Sequence, residues 1–271
     1  MRLRDANVPN VLTAGLVSET AQRCGLAPAS FVIRRLDQQL PDIRIEPDHP
    51  FYPASMIKTP LALAALTLVQ ESALSLAAQA EVTPANMTAN DKESPLVPGY
   101  RATLEQLIDL MLTRSDNVAT NMLFDIVGRE RATTIVQQRY GLRLTAFYRK
   151  LSGRLPLIND PQWDRVHRNS HPASDAARLF ELLARDSVPF AYMLRSVLSR
   201  QQWNEKLPAG MLPGDHFEHK TGDTDEVTHD GGILDTEGGA SYVLVVYTGM
   251  ESNDANNAKF APFMSALRPY L

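Results

Sequence analysis

Apolar residues recur at helical spacing near the N-terminus, where Val8, Val11, Leu12, Leu16, Val17 and Ala21 predict a helix over residues 8–24 closed by Gly25. The period then shortens. Phe31–Leu36 and Ile43–Glu46 read as two short strands joined by a turn containing Pro41. From about residue 53 to 197 the pattern is almost wholly helical, with i, i+3, i+4 recurrence in Leu61–Val69, Leu104–Leu112, Val118–Val127 and Ala173–Leu183. Strand patterns return at Phe217–Lys220, Gly231–Leu234 and Tyr242–Tyr247, and Ala258–Leu267 reads as a closing helix. A strand set split by a helical insertion predicts one sheet assembled from both chain ends. The expected division is an α/β lobe from residues 1–48 and 198–271 and an all-helical lobe from 49–197, with a ligand cleft between them. No repeat, low-complexity tract or Gly/Ser linker divides the chain.

Composition narrows the function classes. The chain has 271 residues, with 27 Lys+Arg against 31 Asp+Glu and a net charge of -4, which argues against a nucleic-acid partner. Its one cysteine, Cys24, cannot form an internal disulfide. The longest apolar stretch, Pro60–Val69, is far short of the roughly 20 residues of a membrane span, so none is expected. The N-terminal MRLRDANVPNVLTAG carries no apolar segment behind its arginines, so no secretory signal is predicted. A soluble enzyme or binding module remains.

Three short motifs carry the candidate chemistry. Ser55-Met56-Ile57-Lys58 opens a strongly apolar helix, and i, i+3 spacing places the Lys58 amine beside the Ser55 hydroxyl. A serine hydroxyl needs a base to become a nucleophile, and a desolvated neutral lysine is one. A helix N-terminus also favours a developing oxyanion. Ser115-Asp116-Asn117 lies between two helical runs, where it can aim a hydroxyl and an amide into a cleft. Lys220-Thr221-Gly222 ends a short strand and precedes Asp223, a place where glycine allows backbone to approach a ligand. Each motif has an ordinary alternative: helix capping for the first two and a strand-end turn for the third.

In order and spacing, with 60 residues from Ser55 to Ser115 and 105 from Ser115 to Lys220, they match the SxxK, SDN and KTG set of class A β-lactamases and penicillin-binding proteins. The chain therefore resembles the class A β-lactamase-like serine acyl-transferases over nearly its whole length. The resemblance implies an α+β fold, a three-layer α/β lobe with a five-stranded antiparallel sheet into which an all-α lobe is inserted. It implies Ser55 as nucleophile, Lys58 as a base and Ser115 as a proton relay to the leaving nitrogen. Asn117 would bind the acyl side-chain amide, and Lys220 and Thr221 the substrate carboxylate. Lys220 would also favour a neutral Lys58. Gly222 belongs to the substrate-binding strand, and the N–H groups of Ser55 and Asp223 would form the oxyanion hole. Class A enzymes often carry an arginine after the third motif to hold the carboxylate. No arginine occurs between Arg200 and Arg268, which leaves His229 or Thr221 as the substitute.

One departure bears on the activity. The glutamate that activates the deacylating water in class A β-lactamases falls, by ungapped counting anchored on Gly141 and Arg149, at Leu151. No glutamate occurs between Glu130 and Glu181, and the nearby carboxylates are Asp160 and Asp164. Losing a placed general base costs about 10²–10⁴ in rate. The expectation is a serine acyl-enzyme hydrolase that binds β-lactams covalently, is DD-peptidase-like and takes D-Ala-D-Ala peptides. The acidic run Asp223, Asp225 and Glu226 is a candidate for holding a peptide amine, or a solvated charged turn. The alternatives are a genuine class A β-lactamase with another water-activating base, a sensor or scaffold acylated once without turnover, and an esterase or amidase. No cofactor or metal is expected. His167 and His171 share i, i+4 spacing, but Pro172 disfavours a helix there, and His216 and His219 fall on opposite faces of a strand. A monomer is expected, and the family resemblance implies a periplasmic or extracellular setting.

Overall fold

The computed structural model describes residues 11–90, 93–153 and 157–271. Helix α1 spans Ala14–Cys24 and starts later than the apolar pattern predicts. Thr13 Oγ1 accepts the Leu16 N–H at 3.2 Å and sets the first turn, so Val11 and Leu12 precede the helix. Val8 lies outside the described residues. Gly25 closes α1 in the left-handed region at φ +73°.

Strands β1 (Ala29–Arg35) and β2 (Ile43–Ile45) come from the N-terminal part. Strands β5 (His216–Asp223), β6 (Thr228–Asp235) and β7 (Ser241–Thr248) come from the C-terminal part, after β3 (Gln79–Glu81) and β4 (Arg101–Thr103). The five-stranded sheet is antiparallel throughout, in the order β2-β1-β7-β6-β5. Alternation sorts its two faces. Phe31, Ile33, Leu244 and Val246 pack with Val17 of α1 and with Phe260 and Phe263 of a C-terminal helix. Val32, Val243, Val245 and Tyr247 face the larger cluster built by the middle of the chain.

Helix α2 (Lys58–Gln70) runs through that larger cluster, with every residue from Lys58 to Leu68 buried. Such all-round burial explains why its apolar run has no polar face. Around it stand α3 (Leu104–Thr113), α4 (Asn117–Val127), α5 (Arg129–Tyr140), α6 (Ala173–Ala184) and α7 (Ala191–Leu198). The C-terminal helix is shorter than predicted: α8 covers Asp254–Asn257 and α9 covers Phe260–Leu267. No helix of the described residues is long and apolar enough to cross a membrane.

Residues 53–197 are not almost wholly helical. Strands β3 and β4 pair as a two-stranded sheet within them, and residues 141–172 contain no helix among the described residues. Buried polar side chains hold that long loop where apolar periodicity is missing. Asp160 accepts from Arg129 Nη2 at 2.5 Å and from the Lys150 N–H at 2.7 Å, while Arg129 Nη1 donates to the Tyr148 carbonyl at 2.7 Å. Asn169 Oδ1 accepts the N–H groups of Tyr148 and Arg149.

The Arg129–Asp160 pair is almost fully buried, so removing one partner leaves an uncompensated charge inside. Arg129→Met is expected to destabilise the protein by about 3–5 kcal/mol in urea unfolding. A wild-type midpoint with an unchanged slope would show that the pair does not hold the loop.

Candidate functional site

Three separate pieces of chain meet at the N-terminus of α2. The first is a 3₁₀ turn, Ala54–Ile57, which carries Ser55 and runs directly into α2. The Lys58 N–H donates to the Ser55 carbonyl, which sets the two side chains three residues apart on one side of the turn. Ser55 is half-buried and Lys58 fully buried. Ala54, just before the serine, sits at φ +47°, an unfavourable conformation for a residue with a Cβ.

The second piece is the turn from α3 into α4. Asp116 caps α4 by accepting the Ala119 N–H at 2.9 Å, so capping does operate in this motif. The capping leaves Ser115 in the left-handed region at φ +59°, and its hydroxyl and carbonyl both meet the α2 lysine. Lys58 Nζ donates to the Ser115 carbonyl at 2.6 Å, to Ser115 Oγ at 3.0 Å and to Asn117 Oδ1 at 2.8 Å. The other half of the Asn117 amide donates to the Ala89 carbonyl at 3.0 Å, and Asn90 Oδ1 accepts the Asn117 N–H.

The third piece is β5, the edge strand of the sheet, whose outer side has no strand neighbour among the described residues. Lys220, Thr221 and Gly222 lie within this strand, which extends to Asp223, rather than at the end of a short one. Pairing with β6 carries the strand past its apolar run, since Thr221, Gly222 and Asp223 stand opposite Asp230, His229 and Thr228. Lys220 is fully buried, and its Nζ donates to Ser115 Oγ at 3.1 Å and to the Thr221 carbonyl at 3.0 Å. Two lysines from distant parts of the chain therefore share one serine hydroxyl. Gly222 is required by proximity: a Cβ there would lie 2.9 Å from the Pro53 carbonyl oxygen and 3.0 Å from Met56 Cγ. The bare strand is what lets β5 lie against the turn bearing Ser55.

Other sequence-predicted residues take different places. Both ring nitrogens of the buried His229 are bonded within the protein. Its Nε2 donates to the Tyr52 carbonyl at 2.8 Å, its Nδ1 accepts the Thr248 N–H at 3.1 Å, and its ring stacks on Tyr247 at 4.1 Å. Burial pushes its pKa down to about 4, so the ring is neutral near pH 7. The Asp223 carboxylate turns to the buried Lys206, accepting from its Nζ at 2.6 Å and from Thr228 Oγ1 at 2.9 Å. Desolvation raises the Asp223 carboxyl, but the Lys206 charge and the hydrogen bonds from Lys206, Ser252 and Thr228 together outweigh it and hold the pKa below the usual range. Glu226 pairs with Arg168, so the acidic run is largely committed within the protein, with Asp225 exposed.

Leu151 is buried in the main cluster, and its backbone is clamped from both sides by Asn121. Asn121 Oδ1 accepts the Leu151 N–H at 2.8 Å, and its Nδ2 donates to the Leu151 carbonyl at 2.9 Å. Asn121 follows Asn117 by one turn of α4, about 5.4 Å along the axis. Sequence reasoning missed Asn121 and Lys206. The signal for Asn121 was a buried-face position four residues after Asn117, whereas nothing local marked Lys206. Of the loop carboxylates, Asp160 is committed to Arg129, and Asp164 is exposed with its pKa lowered to about 2 by hydrogen bonds to His167 and to backbone N–H groups. His171 is buried against Thr145, with its pKa lowered to about 3 by desolvation. Among the described residues no group of three or more His, Cys, Asp or Glu side chains is placed to hold a metal.

The His229 environment has a measurable consequence. Its folded pKa lies below the unfolded value of about 6.5, so the unfolded chain binds the extra proton first as pH falls. The stability it supports is fully present above pH 6.5 and is lost between there and about pH 4, on the order of 3 kcal/mol. Ring NMR is expected to report the Nε2–H neutral tautomer down to about pH 5. A titration near 6.5 would contradict the buried, doubly bonded ring.

The Beta-lactamase enzyme family model matches residues 17–267. The structure of PBP-A superposes with a TM-score of 0.80 at 24% identity, covering 94% of this chain and 95% of that one. A leucine-to-glutamate mutant of PBP-A, in an acyl-enzyme complex with penicillin G, gives 0.80 at 24% identity over 97% of this chain and 98% of that one. The β-lactamase from Sphaerobacter thermophilus gives 0.78 at 22% identity over 96% and 98%. None of the curated protein sequences compared matches the chain. The family match spans both ends of the sheet and every motif of the cleft, and the chain belongs to the Beta-lactamase enzyme family of serine hydrolases.

Proposed function

We propose that the protein is a penicillin-binding, DD-peptidase-like serine acyl-enzyme hydrolase with Ser55 as its nucleophile. The observation that carries the reading is the convergence of Lys58 and Lys220 on Ser115 Oγ beside the half-exposed Ser55. Lys58 takes the Ser55 proton, and the nearby Lys220 ammonium disfavours a second positive charge there. Ser55 Oγ forms a bond to the scissile carbonyl carbon, and the carbonyl oxygen becomes an oxyanion met by the N–H groups of Ser55 and Asp223. The carbon–nitrogen bond then breaks, the proton taken by Lys58 returns through Ser115 Oγ to the leaving nitrogen, and an ester on Ser55 remains. Lys220 supplies charge for the substrate carboxylate, with Thr221 beside it in the strand, and Asn117 is the amide available to the acyl side chain.

Deacylation separates this reading from a β-lactamase. Leu151 is a buried hydrocarbon whose backbone is bonded to Asn121, one turn of α4 after Asn117, and it cannot take a proton from water. Asp160 neutralises a buried arginine, so it is not a free base. PBP-A, with an acyl-enzyme complex of a leucine-to-glutamate mutant among its structures, offers a parallel for a penicillin-binding protein of this fold.

Two substitutions test the assignment. Ser55→Ala is expected to abolish covalent labelling by a fluorescent penicillin while leaving the circular dichroism spectrum and unfolding midpoint in place. Labelling at the wild-type rate would remove Ser55 as nucleophile. Leu151→Glu is expected to speed release of the acyl group by about 10²-fold or more, read as the decay of the labelled protein. An unchanged decay would show that position 151 does not face the deacylating water.

A further inference from the structure

A rim of arginines and aromatic rings lies at the end of β5 away from Ser115. Arg168, from the 141–172 loop, stacks its guanidinium 4.2 Å over the Tyr52 ring and donates from Nη1 to Glu226 Oε2 at 2.9 Å. Glu226 stands in the turn between β5 and β6, and Tyr52 precedes Ser55 by three residues. Arg149 packs 4.9 Å over the Trp163 ring, is half-buried and has no carboxylate partner among the described residues. Asn169, the neighbour of Arg168, accepts the Arg149 N–H at 3.0 Å and donates to the Arg149 carbonyl at 3.0 Å, so the two arginines sit on adjoining stretches of the loop. Burial raises the Tyr52 phenol above its ordinary range, and both arginines oppose that rise.

The position of this rim relative to the reacting centre follows from β5. Lys220 meets Ser115, Gly222 meets the Ser55 turn, and the next residues lead into the turn that carries Glu226. Lys220 to Asp223 spans about 10 Å at strand rise. A substrate extended along the free edge of β5, with its reacting carbonyl at Ser55 and its leaving nitrogen at Ser115, therefore directs its acyl chain toward Tyr52, Arg149 and Arg168. This orientation rests on the function proposed above.

We propose that Arg149 and Arg168 around Tyr52 form a subsite for a carboxylate carried at the far end of the acyl group. Ring stacking pre-orients both guanidinium groups, so little side-chain freedom is lost when an anion arrives. The Arg168–Glu226 pair is exposed on both sides and contributes little by itself, which leaves Arg168 available to a second anion. Arg149 has no such competitor. The substrate class is an acyl donor with an anionic tail, such as a peptide stem bearing a free side-chain carboxylate, and the two guanidinium groups repel a cationic one.

Three penicillins differing only at the end of the side chain test this directly. Adipyl-, hexanoyl- and 6-aminohexanoyl-penicillanic acids place a carboxylate, a methyl or an ammonium at similar reach. Acylation of the full-length protein is followed by intact-mass spectrometry under second-order conditions. The adipyl compound is expected to acylate about tenfold faster than the hexanoyl one, and the aminohexanoyl compound slower than both. In the Arg149→Gln, Arg168→Gln double variant the adipyl-to-hexanoyl ratio is expected to collapse toward one. The ratio is taken within each protein, so a change in folded fraction cancels. A ratio near one in the wild type, or the same preference in the variant, would overturn the subsite while leaving the acyl-enzyme function in place. Failure of all three compounds to acylate the wild type would overturn both.

Discussion

Two buried lysines meet on one serine hydroxyl, and that meeting fixes how the surrounding elements must sit. Lys58 reaches Ser115 Oγ from the first turn of α2 at 3.0 Å, and Lys220 reaches it from β5 at 3.1 Å. Burying a lysine Nζ is costly unless its hydrogen-bond donors are satisfied. Here the acceptors include the Ser115 carbonyl, the Asn117 side chain and the Thr221 carbonyl. A shift of α2, of the α3–α4 turn or of β5 by more than about an ångström breaks several of these bonds together. Ser115 is held at φ +59°, a conformation worth about 1–3 kcal/mol of strain, because the surrounding contacts determine it more strongly.

The same constraint explains the chain's division of labour. A sheet made from both ends of the chain supplies a rigid edge strand, and the helices inserted between them supply two of the three motifs. Gly222 lets the edge approach the Ser55 turn closely enough for the pieces to act together. Behind the strand, Lys206 binds the Asp223 carboxylate and the His229 carbonyl, while His219 Nδ1 contacts Asp230 at 2.7 Å, so the back of the site is also held by buried polar contacts. On the other side Asn121 fixes the backbone of the long loop at Leu151. Polar contacts thus hold the cleft from several sides, while the Leu151 side chain packs in the main hydrophobic cluster.

Most of the fold was legible where apolar residues alone determine structure. The helices α3, α4 and α6 follow their hydrophobic period because each buries a face, while β1, β7 and α2 show as near-continuous apolar runs because they are buried on more than one side. Elements set by polar groups were not legible in that way. Helix α5 is dominated by charged and polar residues, and only Ala132, Ile135 and Val136 mark its buried stripe. Strands β3 and β4 are three residues each and carry little pattern. Residues 141–172 fold through Asp160, Asn169 and Arg129, long-range partners that no local window contains. In the site, ordered motifs identified the residues that the fold brings together at Ser115. The inward turn of His229 depends on Tyr52 and Thr248, 177 and 19 residues away, and so could not be read from spacing.

On the function proposed here, the protein forms an acyl-enzyme at Ser55 and releases it slowly for want of a water-activating carboxylate. That combination is the centre of the account, and it is open to one direct measurement: intact-mass spectrometry of the wild-type protein over hours after benzylpenicillin is added. The account predicts a single acyl adduct that maps to Ser55 and persists. Rapid consumption of the penicillin with no accumulated adduct would contradict it and identify a working β-lactamase with a base elsewhere in the cleft.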